Sequence, residues 1–226
     1  MTRESWLNAT RKENQETIEI NSLDTISLLW QFWVWKDTHI SFISKISKFK
    51  EFNLKKTLDS DKSIASNYLG KSVLIPDKEV FRVLDGFDLK KHILNWFPRT
   101  LAQAEYISKR YKNNILIVLE SDFNLIKSRL LSRLMCNTCF KTYAWGEYIN
   151  IGMQCSIDDC NWILIKRRED NETNIKERQE FYLNEIEPLI KVMSERMTTI
   201  IIKLWSWSIN ENNELIEYEL NKYFRF

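Results

Sequence analysis

All four cysteines of this 226-residue chain fall in one stretch. Cys136-Asn-Thr-Cys139 places two thiols on one tight turn, and Cys155 and Cys160 supply a second pair. Two such pairs complete a tetrahedral zinc site. With four protein ligands no position stays open for water, so that metal would be structural. The spacing reads as a zinc ribbon, and a module this short has too small a core to hold itself together without a staple. Two disulfides or four free thiols are the alternatives. Asp158 competes for the fourth place, because Cys155-Ser-Ile-Asp158 has the tighter spacing. The softer thiolate favours Cys160.

A second signature is Lys36-Asp-Thr38, which follows the β-type run Thr25 to Leu29 and precedes a helix-like run, Ile40 to Phe52. Strand, loop, Lys-x-Thr, helix is the layout of a phosphate-binding loop. Such a loop needs glycines, because its amides converge on the phosphates and some residues need positive φ. Trp30, Trp33 and Trp35 stand where glycines are expected. Either this is no phosphate loop, or it is one that has been filled in.

Composition sharpens the second alternative. Hydrophobic residues make up 44% and charged residues 28%, enough for a core and against global disorder. The formal net charge of +2 gives no electrostatic case for nucleic acid or an anionic membrane. Only 4 glycines are present beside 9 tryptophans. That is little glycine for nucleotide-enzyme loops and much Trp for buried contacts or a partner interface. No apolar run is long enough to span a bilayer. The stretch Met1 to Glu19 is polar and carries Glu4, Glu13, Glu16 and Glu19, against a cleaved transit or signal peptide. The expectation is a protein soluble where it is made, or made inside its organelle. The Ile-, Asn- and Lys-rich texture suits an AT-rich coding sequence.

The elements that must position these groups alternate. Residues 1–22 read as a polar extension, with Trp6 a possible anchor. Lys55 to Leu69 and Lys78 to Leu89 are helix-compatible, with Pro76 between them. His92 to Asn95 is a short strand. Thr100 can cap a helix from Leu101 to Lys112. Ile115 to Leu119 is an apolar run suited to a strand buried on both faces. Asp122 starts a helix to about Leu134. Glu172 to Met197 reads as one long helix kinked at Pro188, Thr199 to Leu204 as a strand, and Asn212 to Tyr223 as a last helix. The pattern implies a parallel α/β sheet with an inserted module.

Several stretches together resemble the adenylate kinases with a zinc-bearing lid. Phe97-Pro98-Arg99-Thr100-Leu101-Ala102-Gln103-Ala104 is similar to the family's Asp-Gly-Phe-Pro-Arg-Thr-x-x-Gln-Ala segment. Leu74-Ile75-Pro76-Asp77 resembles its Leu-Val-Pro-Asp. Arg129-Leu-Leu-Ser-Arg133, followed by Cys136, resembles the lead into the lid. Arg167-Arg-Glu-Asp-Asn171 and Arg178 resemble the way out of it, and Glu187-Pro188-Leu189-Ile190 its Ala-Pro-Leu-Ile. The resemblance covers roughly residues 25–226. It implies a three-layer α/β fold of the P-loop NTPase class, with a parallel five-stranded sheet and an inserted zinc-ribbon lid. The implied division is a core of residues 23–134 and 167–226, a reduced monophosphate-binding insert of about 53–80, and a lid of 135–166.

The same resemblance makes the departures legible. Lys36 and Thr38 survive from the family loop, but every glycine is gone. Asn95-Trp96 stands where the family has Asp-Gly, removing a carboxylate that helps hold magnesium. Trp207 lies near another family glycine. A phosphate-gripping arginine is missing, with Asp59 near its place. The remnant positions are Lys36, Thr38, Arg99, Arg129, Arg133, Arg167 and Arg178, with Gln103 and Arg99 as the nucleotide-binding remnant. Each arginine also has an ordinary reading as a solvated or structurally paired side chain, with Glu169 and Asp170 as partners. His39 and His92 read as packed or surface histidines.

The expectation is an inactive adenylate-kinase-like chain with doubtful ATP, AMP and magnesium binding. It would serve as a protein-binding accessory subunit of a large mitochondrial assembly, a respiratory-chain complex first and a mitoribosome next. Trp6, Trp145, Trp162 and Trp205 are its candidate contacts. The alternatives are a divergent nucleotide-binding protein or weak nucleoside monophosphate kinase, and a cytoplasmic location. Repeated Gly-to-Trp exchange could also reflect an unusual genetic system, since the codons differ by one base.

Overall fold

The computed structural model describes residues 18–31, 36–68, 75–144, 149–158, 160, 162–206 and 208–225. Trp6, Trp33, Trp35, Leu74, Trp145 and Trp207 lie outside the described residues, as do the side chain of Lys36 and most of the 1–22 extension.

Five strands build the core: β2 (Thr25–Trp30), β3 (Lys50–Asn53), β4 (His92–Asn95), β5 (Asn114–Ser121) and β9 (Thr199–Leu204). Their order is β3-β4-β2-β5-β9 and every neighbouring pair is parallel. β2 is buried along its whole length and β5 along all but its last residue. That is why β5 reads as one uninterrupted apolar run and not as an alternation. The register sets Leu28 opposite Asn95 and Trp30 opposite Leu119. The carboxyl ends of the central strands therefore lie along one edge. The fold is mixed α/β with a parallel five-stranded sheet, as the resemblance implies.

Between the strands run α1 (Lys36–Ser47), α2 (Leu54–Ser60), α3 (Lys62–Tyr68), α4 (Asp77–Leu84), α5 (Leu101–Arg110) and α6 (Phe123–Ser132). After the lid come α7 (Glu172–Phe181), α8 (Glu187–Ser194) and α9 (Ile209–Asn221). Side chains close the amino ends: Thr100 accepts from the Gln103 amide, Asp122 from Asn124 and Leu125, and Ser208 from Glu211. One apolar cluster lies between the sheet and α1, α6, α8 and α9, with Ile40, Ile126, Ile190 and Ile216 in it. A second cluster joins α2–α4 to the β3–β4 side through Leu58, Ile64, Leu84 and Phe52. A two-residue parallel pair, β1 (Ile18–Glu19) with β10 (Phe224–Arg225), ties the described ends together.

The cysteine stretch forms its own antiparallel sheet of β6 (Arg133–Cys136), β7 (Thr142–Ala144) and β8 (Leu164–Lys166), ordered β7-β6-β8. No helix among the described residues is long and apolar enough to cross a membrane.

Three sequence expectations need correction. The helix placed at Ile40 to Phe52 starts at Lys36 and stops at Ser47, and residues 50–53 are an edge strand. Lys48 takes φ 62 and turns the chain out of the helix, with no glycine to mark the turn. β3 was hidden because only Phe52 on it is buried. Trp30 belongs to strand β2 and not to the loop that follows.

The kink at Pro188 is a change of helix type. Residues Tyr182–Ile186 form a π turn between α7 and α8, in which the Glu187 amide reaches back to the Tyr182 carbonyl. Proline has no amide to donate, and the widened turn accommodates that loss.

Lys48 offers a direct check on the backbone. A left-handed lysine is strained by roughly 1–2 kcal/mol relative to glycine, and glycine gives back part of that through the entropy of the unfolded chain. Lys48→Gly should raise the unfolding free energy by about 0.5–1 kcal/mol in a urea melt. The same change at Lys45, inside α1, should lower it.

Candidate functional site

β6 ends on the buried Cys136 and the following turn carries Cys139. The Cys155 amide donates to the Trp162 carbonyl and the Cys160 amide to Ile157, which folds the second pair back against the first. The four sulfurs lie within 4.8 Å of one another, with Cys136 to Cys160 at 3.6 Å and Cys139 to Cys155 at 3.5 Å. Asp158 is not part of that group.

The thiols do not ionise alike. Burial pushes Cys136 upward, but hydrogen bonds from the Thr138 and Cys139 amides and from neighbouring thiols outweigh it and bring it to about 6. The Tyr143 hydroxyl, 3.1 Å away, helps lower Cys155. Burial and the bond to Cys136 push Cys160 up to about 12. Four thiolates cannot share this space without a cation, and a soft, closed set of four sulfurs fits a structural zinc ion.

Two tryptophan rings meet at the carboxyl ends of β2 and β4. Trp30 ends β2, and Trp96 follows β4 with its amide donating to the Leu28 carbonyl at 3.0 Å. The two ring centroids are 4.7 Å apart. Trp96 holds φ 56, a left-handed conformation that glycine adopts freely and a bulky residue adopts at a cost. The resemblance places a glycine at this position, so the backbone shape has outlived the residue that suits it.

Arg99 covers the Trp96 ring at 5.6 Å and donates through Nε to the Trp96 carbonyl at 3.1 Å. Burial lowers its pKa to about 10. Asn95 donates through Nδ2 to Glu51. Gln103 is engaged at both ends: Oε1 accepts from the Arg99 amide at 2.8 Å and Nε2 donates to Asp77 at 2.7 Å. Asp59 lies on α2 and pairs with Lys55.

Four arginines gather where the lid joins the core. Arg133, at the start of β6, makes a two-pronged contact with the buried Asp170, with Nε and Nη2 each 2.7 Å from a carboxylate oxygen. Arg167 donates to Glu169 at 3.0 Å. Arg178 on α7 is lowered by burial, with Asp170 opposing and Arg167 assisting the shift. Burial and the charge of Arg133 bring Arg129 to about 9. Lys36 and Thr38 open α1, with Thr38 exposed. His39, one residue on, is buried, bonds Asn213 on α9 at 2.8 Å and feels the charge of Arg129. His92 bonds the Lys90 carbonyl.

Some buried polar links were not foreseen. Tyr182 donates to Glu120 at 2.8 Å inside the core. Gln31 accepts from the Ser121 amide and donates to Gln179, tying the loop after β2 to β5 and α7. The only sequence signal was Glu120 directly after the apolar run of β5. Trp162 and Trp205 are 54% and 66% exposed, so neither is packed in the core.

Two measurements check these assignments. Zinc should be retained at one ion per chain; Cys160→Ser should weaken it at least about tenfold, and Asp158→Asn should leave it unchanged. His39 titrates below its ordinary 6.5 because burial disfavours its charge. The unfolded chain therefore binds the proton more readily, and the stability it lends above pH 6.5 falls away as the pH drops toward the folded value. Urea midpoints at pH 7.5 and about 5.5 should differ less in His39→Gln than in the parent chain.

No protein-family model matches this chain. It is 30% identical over 175 residues to the adenylate kinase of Alkaliphilus oremlandii, which covers 73% of this chain and 79% of that one. It is 31% identical over 180 residues to the adenylate kinase of Rickettsia conorii, covering 74% and 79%. A shorter match, 32% over 129 residues, links it to the adenylate kinase of Malacoplasma penetrans. With this sheet, this ordered set of motifs and this level of identity, the chain belongs to the adenylate kinase family.

Proposed function

We propose that this chain keeps the adenylate kinase body for its shape and has lost phosphoryl transfer between ATP and AMP. The observation that carries the reading is the Trp30–Trp96 pair, whose ring centroids lie 4.7 Å apart at the ends of β2 and β4 with the ring planes tilted by 36° and Arg99 over the Trp96 ring. Phosphoryl transfer is almost entirely positioning and charge stabilisation. Losing one preorganised donor costs on the order of 10²–10³ in rate. Here the loop glycines are replaced, and Asn95 carries an amide where the family carboxylate stands. Gln103 is turned inward onto Asp77 and the Arg99 amide.

The body would act as an accessory subunit bound to other proteins, within a mitochondrial respiratory complex or, second, a mitoribosome. The exposed Trp162, Trp205 and Phe140 support a protein-facing role, since aromatic residues anchor such contacts. The domain division stated from the sequence belongs to the same proposal, as does structural zinc on Cys136, Cys139, Cys155 and Cys160.

A second reading is a divergent nucleotide-binding protein or weak kinase. The gathering of Arg129, Arg133, Arg167 and Arg178 favours it, and the matched relatives are named as adenylate kinases. A coupled assay with ATP, AMP and magnesium separates the two. The zinc-loaded chain should turn over at least about 10³-fold more slowly than an adenylate kinase relative run beside it. Turnover within about tenfold of that relative would overturn the inactive reading. Sedimentation of the native chain with a large assembly supports the accessory role; a free cytoplasmic species speaks against it.

A further inference from the structure

The second cysteine pair is met by a side chain from another strand. Tyr143 sits in β7, opposite Leu134 of β6, and packs half-buried against the small core of the cysteine module. Its hydroxyl lies 3.1 Å from the Cys155 sulfur. The Ser156 amide reaches the same oxygen at 3.0 Å, and the Ser156 hydroxyl lies 3.1 Å from it. An amide can only donate, so the Tyr143 oxygen accepts there. A Cys155 thiolate can only accept, and a serine hydroxyl can do either. The arrangement that satisfies every group puts the phenolic proton on the sulfur, with both Ser156 groups donating to the Tyr143 oxygen. Lys141 Nζ lies over the ring, 5.6 Å from its centroid, and helps fix its plane.

We infer that Tyr143 is a positioning residue of the metal centre: its hydroxyl donates to the Cys155 thiolate and holds the second cysteine pair in the geometry that grips zinc. The inference rests on the reading that the four cysteines hold structural zinc. Four thiolates around one divalent ion leave the centre with a net negative charge, and a hydrogen bond to sulfur offsets part of it. The Thr138 amide does this for Cys136 at 3.5 Å, but that amide comes with the turn itself. Tyr143 comes from elsewhere. β7 pairs with β6 and not with the segment that carries Cys155 and Cys160, so the Tyr143 hydroxyl reaches across from the first half of the module to the second. A ring kept for packing alone would serve as well without its oxygen, which makes Tyr143→Phe the discriminating change.

The test compares the full parent chain with Tyr143→Phe, first by zinc competition against a chromogenic chelator and then with cobalt(II) as a spectroscopic stand-in. The parent should hold zinc, and Tyr143→Phe should bind it at least about tenfold more weakly. At saturating cobalt the sulfur-to-cobalt charge-transfer band should lie at longer wavelength in the variant, because a thiolate without its hydrogen bond gives up electron density more readily. The ligand-field bands should keep the intensity of a tetrahedral site. Weaker zinc binding with the charge-transfer band unmoved would overturn the inference, since it marks a disturbed fold and not a lost hydrogen bond. So would an affinity within about twofold of the parent's. A parent chain that holds no zinc would overturn the structural-zinc reading itself, and the inference with it.

Discussion

Strand β2, paired in parallel with β4 on one side and β5 on the other, decides where the remaining groups can be. Its six residues are buried, so it can neither slip nor tilt without exposing apolar surface on both faces. One register places Leu28 beside Asn95, which brings Trp30 and Trp96 into contact where the two strands end. The same register, read on the β5 side, sets the Gln31 side chain against the Ser121 amide. The Trp30–Trp96 contact is therefore a consequence of sheet pairing as much as of the tryptophans themselves.

Where the lid joins the core, buried charge is handled by pairing. Arg133 and Asp170 are both withdrawn from water, and the fork between them offsets a desolvation that neither could bear alone. Arg129 and Arg178 crowd the same region and have their pKa values lowered by burial. Positive charge of this density near the strand ends suits an anionic guest in a kinase. The Arg133–Asp170 fork also joins lid and core. The cysteine module adjoins this arrangement through Arg133, which begins its antiparallel sheet, and packs around four buried residues of its own.

Much of this was legible because the signals were local. The strands His92–Asn95 and Thr199–Leu204 carry their limits in their own residues, and Thr100 and Asp122 announce helix starts with side chains that cap. Cysteine spacing foretold the cluster, since four thiols in one short module have few other uses. The end of α1 was illegible because Lys48 adopts a glycine-like turn, and β3 because an edge strand needs only one buried residue. The inward turn of Gln103 onto Asp77 and the Glu120–Tyr182 link join residues distant in sequence, and no periodicity in a single chain encodes such partners.

The π turn before Pro188 has a consequence for how the chain tolerates length changes. It holds one residue more than an α-helix would over the same rise, so it acts as an insertion stored within a continuous helix. Each residue advances an α-helix by about 100°. Rewinding the same residues as plain α-helix, with none lost, would swing Leu189, Ile190 and Met193 around the helix axis and away from the sheet they pack against. The segment thus works as a phase adjuster: upstream, the helix answers to the lid; downstream, it answers to the core; and the widened turn reconciles two surfaces that a uniform helix could not face together.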